Sequence, residues 1–98
     1  MSRFLPLDPL IHVPLRMAIV STLIGRGPCE FSFLKGYLSA TGGNLSVQLS
    51  RLEEAGYIRS EKVKKPMRDA TRFSITDEGV EAFENYLTAW KTYLPLGK

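Results

Sequence analysis

Three leucines followed at once by a glycine stop and a basic hairpin constrain this chain more than any other feature. In NLSVQLSRLEEAG the leucines fall at 45, 49 and 52, the i, i+4, i+7 spacing of one helical stripe that has to be buried. Asn44 or Thr41 can cap the start of that helix, and Gly56 supplies a left-handed stop. Residues 57–63 and 70–75 then read as two strands, with Phe73 and Ile75 on one face. KKPMRD between them carries a proline and charge, so it reads as a hairpin tip.

The elements around this unit follow from the same signals. Residues 1–7 read as a loose arm. Asp8 before Pro9 gives a cap with proline at the first helical position, and Pro14 limits that helix to about one turn and opens another. PLRMAIVSTLIG places Leu15, Ala18, Ile19, Thr22 and Leu23 on one face of a helix ending at Gly25. After a loop at Gly27 and Pro28, Phe31 is expected to pair briefly in a sheet. Ser32 then caps a short helix with Phe33, Leu34, Tyr37 and Leu38 inward, and TGG at 41–43 is expected to turn. Thr76 or Asp77 caps a final helix running through about Leu94, its first half rich in Asp77, Glu78, Glu81 and Glu84. The expected order is helix, helix, helix, strand, strand, helix: a mostly α fold with a small β-hairpin, in one domain covering 1–98.

Composition excludes several classes of function. With 98 residues, 44% of them apolar, the chain is sized for one globular domain and too apolar for disorder. Cys29 is the only cysteine and His12 the only histidine, so no intrachain disulfide and no Cys/His zinc site is expected, and no other cofactor is implied. Ser46 and Ser50 have no nearby histidine to activate them, which argues against nucleophilic catalysis and leaves no enzyme reading. No apolar run reaches the about 18 residues needed to span a membrane. Pro6, Asp8, Pro9, His12 and Pro14 interrupt any signal-peptide core, so a soluble cytoplasmic protein is expected.

The charge distribution points to a partner. The net charge is +3. Residues 57–72 hold six basic groups (Arg59, Lys62, Lys64, Lys65, Arg68, Arg72) against Glu61 and Asp69, a surplus of +4, which leaves −1 for the rest of the chain. Lys62, Lys64, Lys65 and Arg68 cluster round the hairpin tip, a pattern suited to neutralising phosphates with counterion release. Opposite its leucines, the preceding helix carries Asn44, Ser46, Val47, Gln48, Ser50 and Arg51, while Glu53 and Glu54 wait at its far end. Such a helix fits the major groove, where glutamine can pair bidentately with adenine and arginine with guanine. Helix, short turn, helix and basic hairpin together make a unit for reading duplex DNA.

TGGNLSVQLSRLEEAGYI, the basic hairpin and TRFSITDEGVEAFENYL together resemble winged-helix regulators of the broad MarR/ArsR/PadR type. The closest resemblance is to the short stand-alone winged helix DNA-binding domain family of bacteria and archaea. LDPLIHVPLRMAIVSTL also looks like that family's opening helices, so the resemblance covers about residues 7–94. It implies a winged helix-turn-helix working as a dimer on an operator. Asn44, Ser46, Gln48 and Arg51 match its DNA-facing positions, and Lys62, Lys64, Lys65 and Arg68 match the wing. Val47 and Ser50 depart from it, because relatives often place basic or aromatic residues there; this helix is less basic and affinity leans more on the wing. A winged-helix module that docks a protein partner is the alternative.

Phe83, Leu87, Trp90 and Leu94 follow 4, 3, 4 spacing, widened by Tyr86 and Tyr93. A chain this short has little core to hide so long a stripe, so these six are expected at a homodimer interface. Cys29 reads as a structural thiol rather than a redox sensor, and His12 as a packing or surface residue.

Overall fold

The computed structural model describes residues 2–95; Met1 of the expected arm and residues 96–98 of the expected domain lie outside the described residues. Four helices and three short strands follow in the order α1 (Pro14–Arg26), β1 (Cys29–Glu30), α2 (Phe31–Tyr37), α3 (Gly42–Glu54), β2 (Ile58–Val63), β3 (Ala70–Ile75) and α4 (Asp77–Lys91). The strands form one antiparallel sheet ordered β1-β3-β2, a winged helix architecture.

Ahead of α1, Asp8 makes a turn rather than the expected short helix. Its side chain accepts from the Leu10 amide at 2.9 Å and its carbonyl from the amides of Ile11 and His12, which leaves Ile11 fully buried. Pro14 opens α1, and the buried face is Ile19, Val20 and Leu23. The helix runs one residue past Gly25; the glycine in the left-handed region is Gly27, φ 90°, whose amide bonds back to Leu23.

The first strand lies at Cys29–Glu30 rather than at Phe31, which already begins α2. Cys29 pairs with Phe73 and Glu30 with Arg72, so the hairpin gains a third strand. Tyr37 stands 57% exposed, against the expected inward position, because α2 is only two turns long and Leu34 alone reaches the core fully. Gly42 and Gly43 belong to the first turn of α3 and do not make the turn before it. There the left-handed residue is Ser39, φ 51°.

α3 forms as its pattern requires. Thr41 Oγ1 accepts from the Asn44 amide at 3.2 Å, and Leu45, Leu49 and Leu52 are buried. Burying each such side chain contributes roughly 1.5–3 kcal/mol. The helix ends with Gly56 at φ 82° and the Tyr57 amide bonded to the Leu52 carbonyl, so orphan carbonyls of the last turn are satisfied. β2 and β3 pair from Ile58–Ile75 to Val63–Ala70, which leaves residues 64–69 as the tip.

One hub ties α3, β2 and α4 together. Thr76 caps α4 by accepting from the Gly79 amide at 3.0 Å, and its hydroxyl reaches the carbonyls of Gly56 and Tyr57. The core between α1, α3 and the sheet comprises Ile19, Val20, Leu23, Leu34, Leu45, Leu49, Leu52, Ile58 and Phe73, with Cys29 at its margin. The regular part of α4 stops at Lys91, short of Leu94.

The arm is anchored, not loose. The Leu5 amide donates to Thr92 Oγ1 at 3.1 Å, Tyr93 Oη donates to the Leu5 carbonyl at 2.7 Å, and the Phe4 ring lies against Tyr93.

Candidate nucleic-acid interface

Helical geometry sorts the outward residues of α3 into three rows. Val47, Ser50, Arg51 and Glu54 are exposed on the side away from the leucines and, with Ser46, line one shallow groove. Ser46 and Glu53 flank this row toward the sheet. Gln48 and Asn44 flank it on the other side, toward α1. Gln48 lies three residues after Leu45 and four before Leu52, so it borders the buried stripe and does not oppose it. It is half-buried: its Oε1 accepts from Arg16 Nη1 at 2.6 Å and its Nε2 donates to Asn44 Oδ1 at 3.0 Å. Asn44, Ser46 and Arg51 remain exposed.

Helix and hairpin meet in a single surface. Ser46, Ser50 and Glu53 of α3 share a depression with Ser60 and Lys62 of β2 and Thr71 of β3. Ser60 Oγ donates to Glu53 Oε2 at 2.8 Å, which holds the acidic end of α3 against the sheet. Lys62 therefore stands beside the small, polar residues of α3.

The basic cluster at the tip is unevenly compensated. Lys65 Nζ pairs with Glu30 of β1 at 2.8 Å, and Lys64 lies 3.6 Å from Asp69 with both groups well exposed. Arg72 is paired to Glu61 on the neighbouring strand. Among the described residues no ion pair engages Lys62, Arg68, Arg59 or Arg51. Met67, in the same loop, is 93% exposed.

The six aromatic and apolar residues expected at a dimer seam divide between buried and exposed positions. Tyr86 is 1% exposed within its own chain; its hydroxyl meets His12 Nδ1 at 2.8 Å and lies 3.7 Å from Met17 sulfur. It is thereby removed from any surface that a second chain can reach. Phe83 is half-buried against the core, and Tyr93 holds the arm. Leu87, Trp90, Tyr93 and Leu94 are 37–44% exposed, and Phe4 and Leu5 of the arm add to the same end of the molecule.

Cys29 is buried, its thiol donating to the Gly27 carbonyl at 3.3 Å; burial pushes its pKa up against the opposing charge of Arg26. A protonated, packed thiol is what a structural cysteine requires. Among the described residues no cluster of His, Cys, Asp or Glu is suited to hold a metal ion. Within the same residues no helix is long and apolar enough to cross a membrane.

Sequence reasoning missed two residues that shape this surface, Arg16 and Glu30, and the pairing of Tyr57 with Asp8 beside the arm and α4. Arg16 and Gln48 are 32 positions apart, and Lys65 and Glu30 are 35 apart, so no local pattern joins them. Tyr57 Oη donates to Asp8 Oδ2 at 2.6 Å, which, with burial and the Asp8 charge, pushes its pKa up to about 12.

The chain belongs to the winged helix DNA-binding domain family, whose model matches residues 15–94. It is 40% identical over 72 residues to an uncharacterized protein of Methanocaldococcus jannaschii, covering 74% of this chain and 78% of that one. Among solved structures it is similar to the transcriptional regulator homologue of Pyrococcus horikoshii OT3, with a TM-score of 0.79, 32% identity, and 84% of this chain and 81% of that one covered. It also shares the fold of AbfR, solved in reduced form bound to DNA, with a TM-score of 0.70, 24% identity, and 82% and 57% covered. The fold is that of winged-helix transcriptional regulators, and family membership places the chain with non-enzymatic DNA-binding proteins.

Proposed function

We propose that the protein is a cytoplasmic, sequence-specific regulator of transcription that binds duplex DNA as a homodimer, each chain contributing one winged-helix domain. α3 enters the major groove with Asn44, Ser46, Gln48 and Arg51 toward the base pairs. The wing carries Lys62, Lys64, Lys65 and Arg68 to the backbone or the minor groove. The observation that carries this reading is the shared depression in which Ser46 and Ser50 of α3 lie beside Lys62 of β2. A duplex seated on α3 then meets Lys62 of the hairpin at the same surface. The DNA seen with AbfR, which shares this fold, supports the same assignment. Leu87, Trp90 and Leu94, with Phe83 behind them, form the seam between the two copies; no cofactor is required.

The test is selection of bound sequences from a random duplex pool, followed by titrations across a salt series. A regulator of this kind yields a two-fold symmetric motif with half-sites about 10 base pairs apart, or a multiple of that. Lys62→Ala and Arg68→Ala each flatten the log–log salt dependence by about 0.9. Absence of any duplex binding removes the reading and leaves a protein-docking module in its place.

A further inference from the structure

Arg16, Gln48 and Asn44 form a hydrogen-bond relay with a fixed direction. Arg16, on the first turn of α1, donates from Nε to the Leu10 carbonyl and from Nη1 to Gln48 Oε1. Gln48 Nε2 donates onward to Asn44 Oδ1. A guanidinium carries donors only. The Gln48 atom facing it must therefore be the oxygen, so the Gln48 NH2 turns to Asn44 and the Asn44 oxygen turns to receive it. One cation on α1 thus sets the direction of two amides on α3. Asn44 is exposed at the end of the relay, and its remaining polar atom is the Nδ2 amide, a pure donor.

Bidentate recognition of adenine needs an amide that accepts through oxygen and donates through nitrogen at once. Both oxygens of this pair already hold a donor from within the chain. We infer that Arg16 is a positioning residue that fixes both oxygens of the Gln48–Asn44 edge in bonds within the chain and so leads that edge of α3 with its amide donors, toward hydrogen-bond acceptors such as the N7/O6 edge of guanine or a phosphodiester oxygen. The inference rests on the proposal that α3 meets DNA, and it reverses the adenine pairing that glutamine alone suggests.

The experiment compares selected-sequence profiles and salt titrations for the parent, Asn44→Ala, Arg16→Met, Arg16→Lys and Gln48→Glu, each checked for folding by circular dichroism. Asn44→Ala locates the contact: a change confined to one column per half-site assigns guanine, and a uniform loss on all duplexes assigns phosphate. Arg16→Met frees the Gln48 oxygen, and adenine rises at that column by about tenfold relative to guanine, or phosphate affinity falls. Arg16→Lys, also donor-only, retains the parent behaviour. Gln48→Glu accepts from both neighbours, turns Asn44 round so that its oxygen faces outward, and disfavours guanine; it also keeps the test open if Arg16→Met disturbs the Leu10 turn. Duplex binding with an identical profile and salt slope across all variants overturns the relay and leaves the proposed function standing. An adenine column in the parent that disappears in Asn44→Ala overturns the relay as well. A parent that binds no duplex overturns both.

Discussion

Lys65 reaches from the hairpin loop to Glu30 on β1, the strand on the far side of β3, with Nζ 2.8 Å from the carboxylate. The pair is partly exposed, at 44% and 27%. Glu30 occupies the ammonium as a DNA phosphate would, so Lys65, like the more loosely paired Lys64, begins with an internal partner. Glu30→Gln frees Lys65. The expected result is tighter binding to all duplexes, read from titrations at several salt concentrations. An unchanged affinity shows that Glu30 does not compete with phosphate for Lys65.

The exposed stripe of α4 gives the second prediction. Val80, Phe83, Leu87 and Trp90 recur at 3, 4, 3 spacing beside the buried Tyr86 and Ala89; Val80 and Phe83 are half-buried, and the row emerges from the fold at Leu87 and Trp90. Leu87→Lys combined with Trp90→Gln is expected to convert a dimer to a folded monomer by light scattering. Tyr86→Phe, inside the fold, leaves the dimer intact. A parent that is monomeric at micromolar concentration excludes the seam.

Gly79 sits in the first turn of α4 against the backbone of Tyr57, and a Cβ at this position would meet the Tyr57 carbonyl oxygen well inside 3.0 Å. Backbone on a capped helix end and the start of β2 cannot yield as a flexible side chain does. Gly79→Ala is expected to destabilise the fold by about 1–3 kcal/mol, seen as a lower denaturant midpoint. Gly43→Ala, where nothing lies within 4 Å, serves as the matched control and leaves the midpoint unchanged or raised.

Tyr57 makes stability depend on alkaline pH. Its hydroxyl donates to Asp8, and its pKa is raised from 10.0 to about 12, chiefly by that bond. A pKa raised in the folded state means stability present below the unfolded value and lost as pH rises through the folded one. Denaturation midpoints of the parent are thus expected to fall between pH 10 and 12 more steeply than those of Tyr57→Phe, which lacks the titrating group. Parallel curves for the two proteins show that the Tyr57–Asp8 bond contributes nothing to the linkage.

Local chemistry in the sequence determined the four helices that form, the hairpin and most of the core, though not the turn at Asp8, where it suggested a fifth helix. Leucine spacing, the Thr41 and Thr76 caps and the Gly56 stop act within one turn of chain, so they are readable without the fold. The cluster of wing cations was equally legible, because charge density along the chain needs no third dimension. Contacts between distant segments were not. The third strand depends on Cys29–Glu30 meeting Phe73–Arg72, a pairing of two residues too short to leave a period-2 signature. The inward place of Tyr86, the docking of the arm on Thr92 and Tyr93, and the neutralisation of Lys65 by Glu30 all arise where elements pack. The same holds for Gln48. Its sequence neighbours make it a candidate reader of adenine, while Arg16, brought alongside only by the packing of α1 on α3, decides which way its amide faces. Sequence specified which side chains exist and on which element; tertiary structure decided which of their donors and charges remain free, because hydrogen bonds and ion pairs are settled by proximity in space.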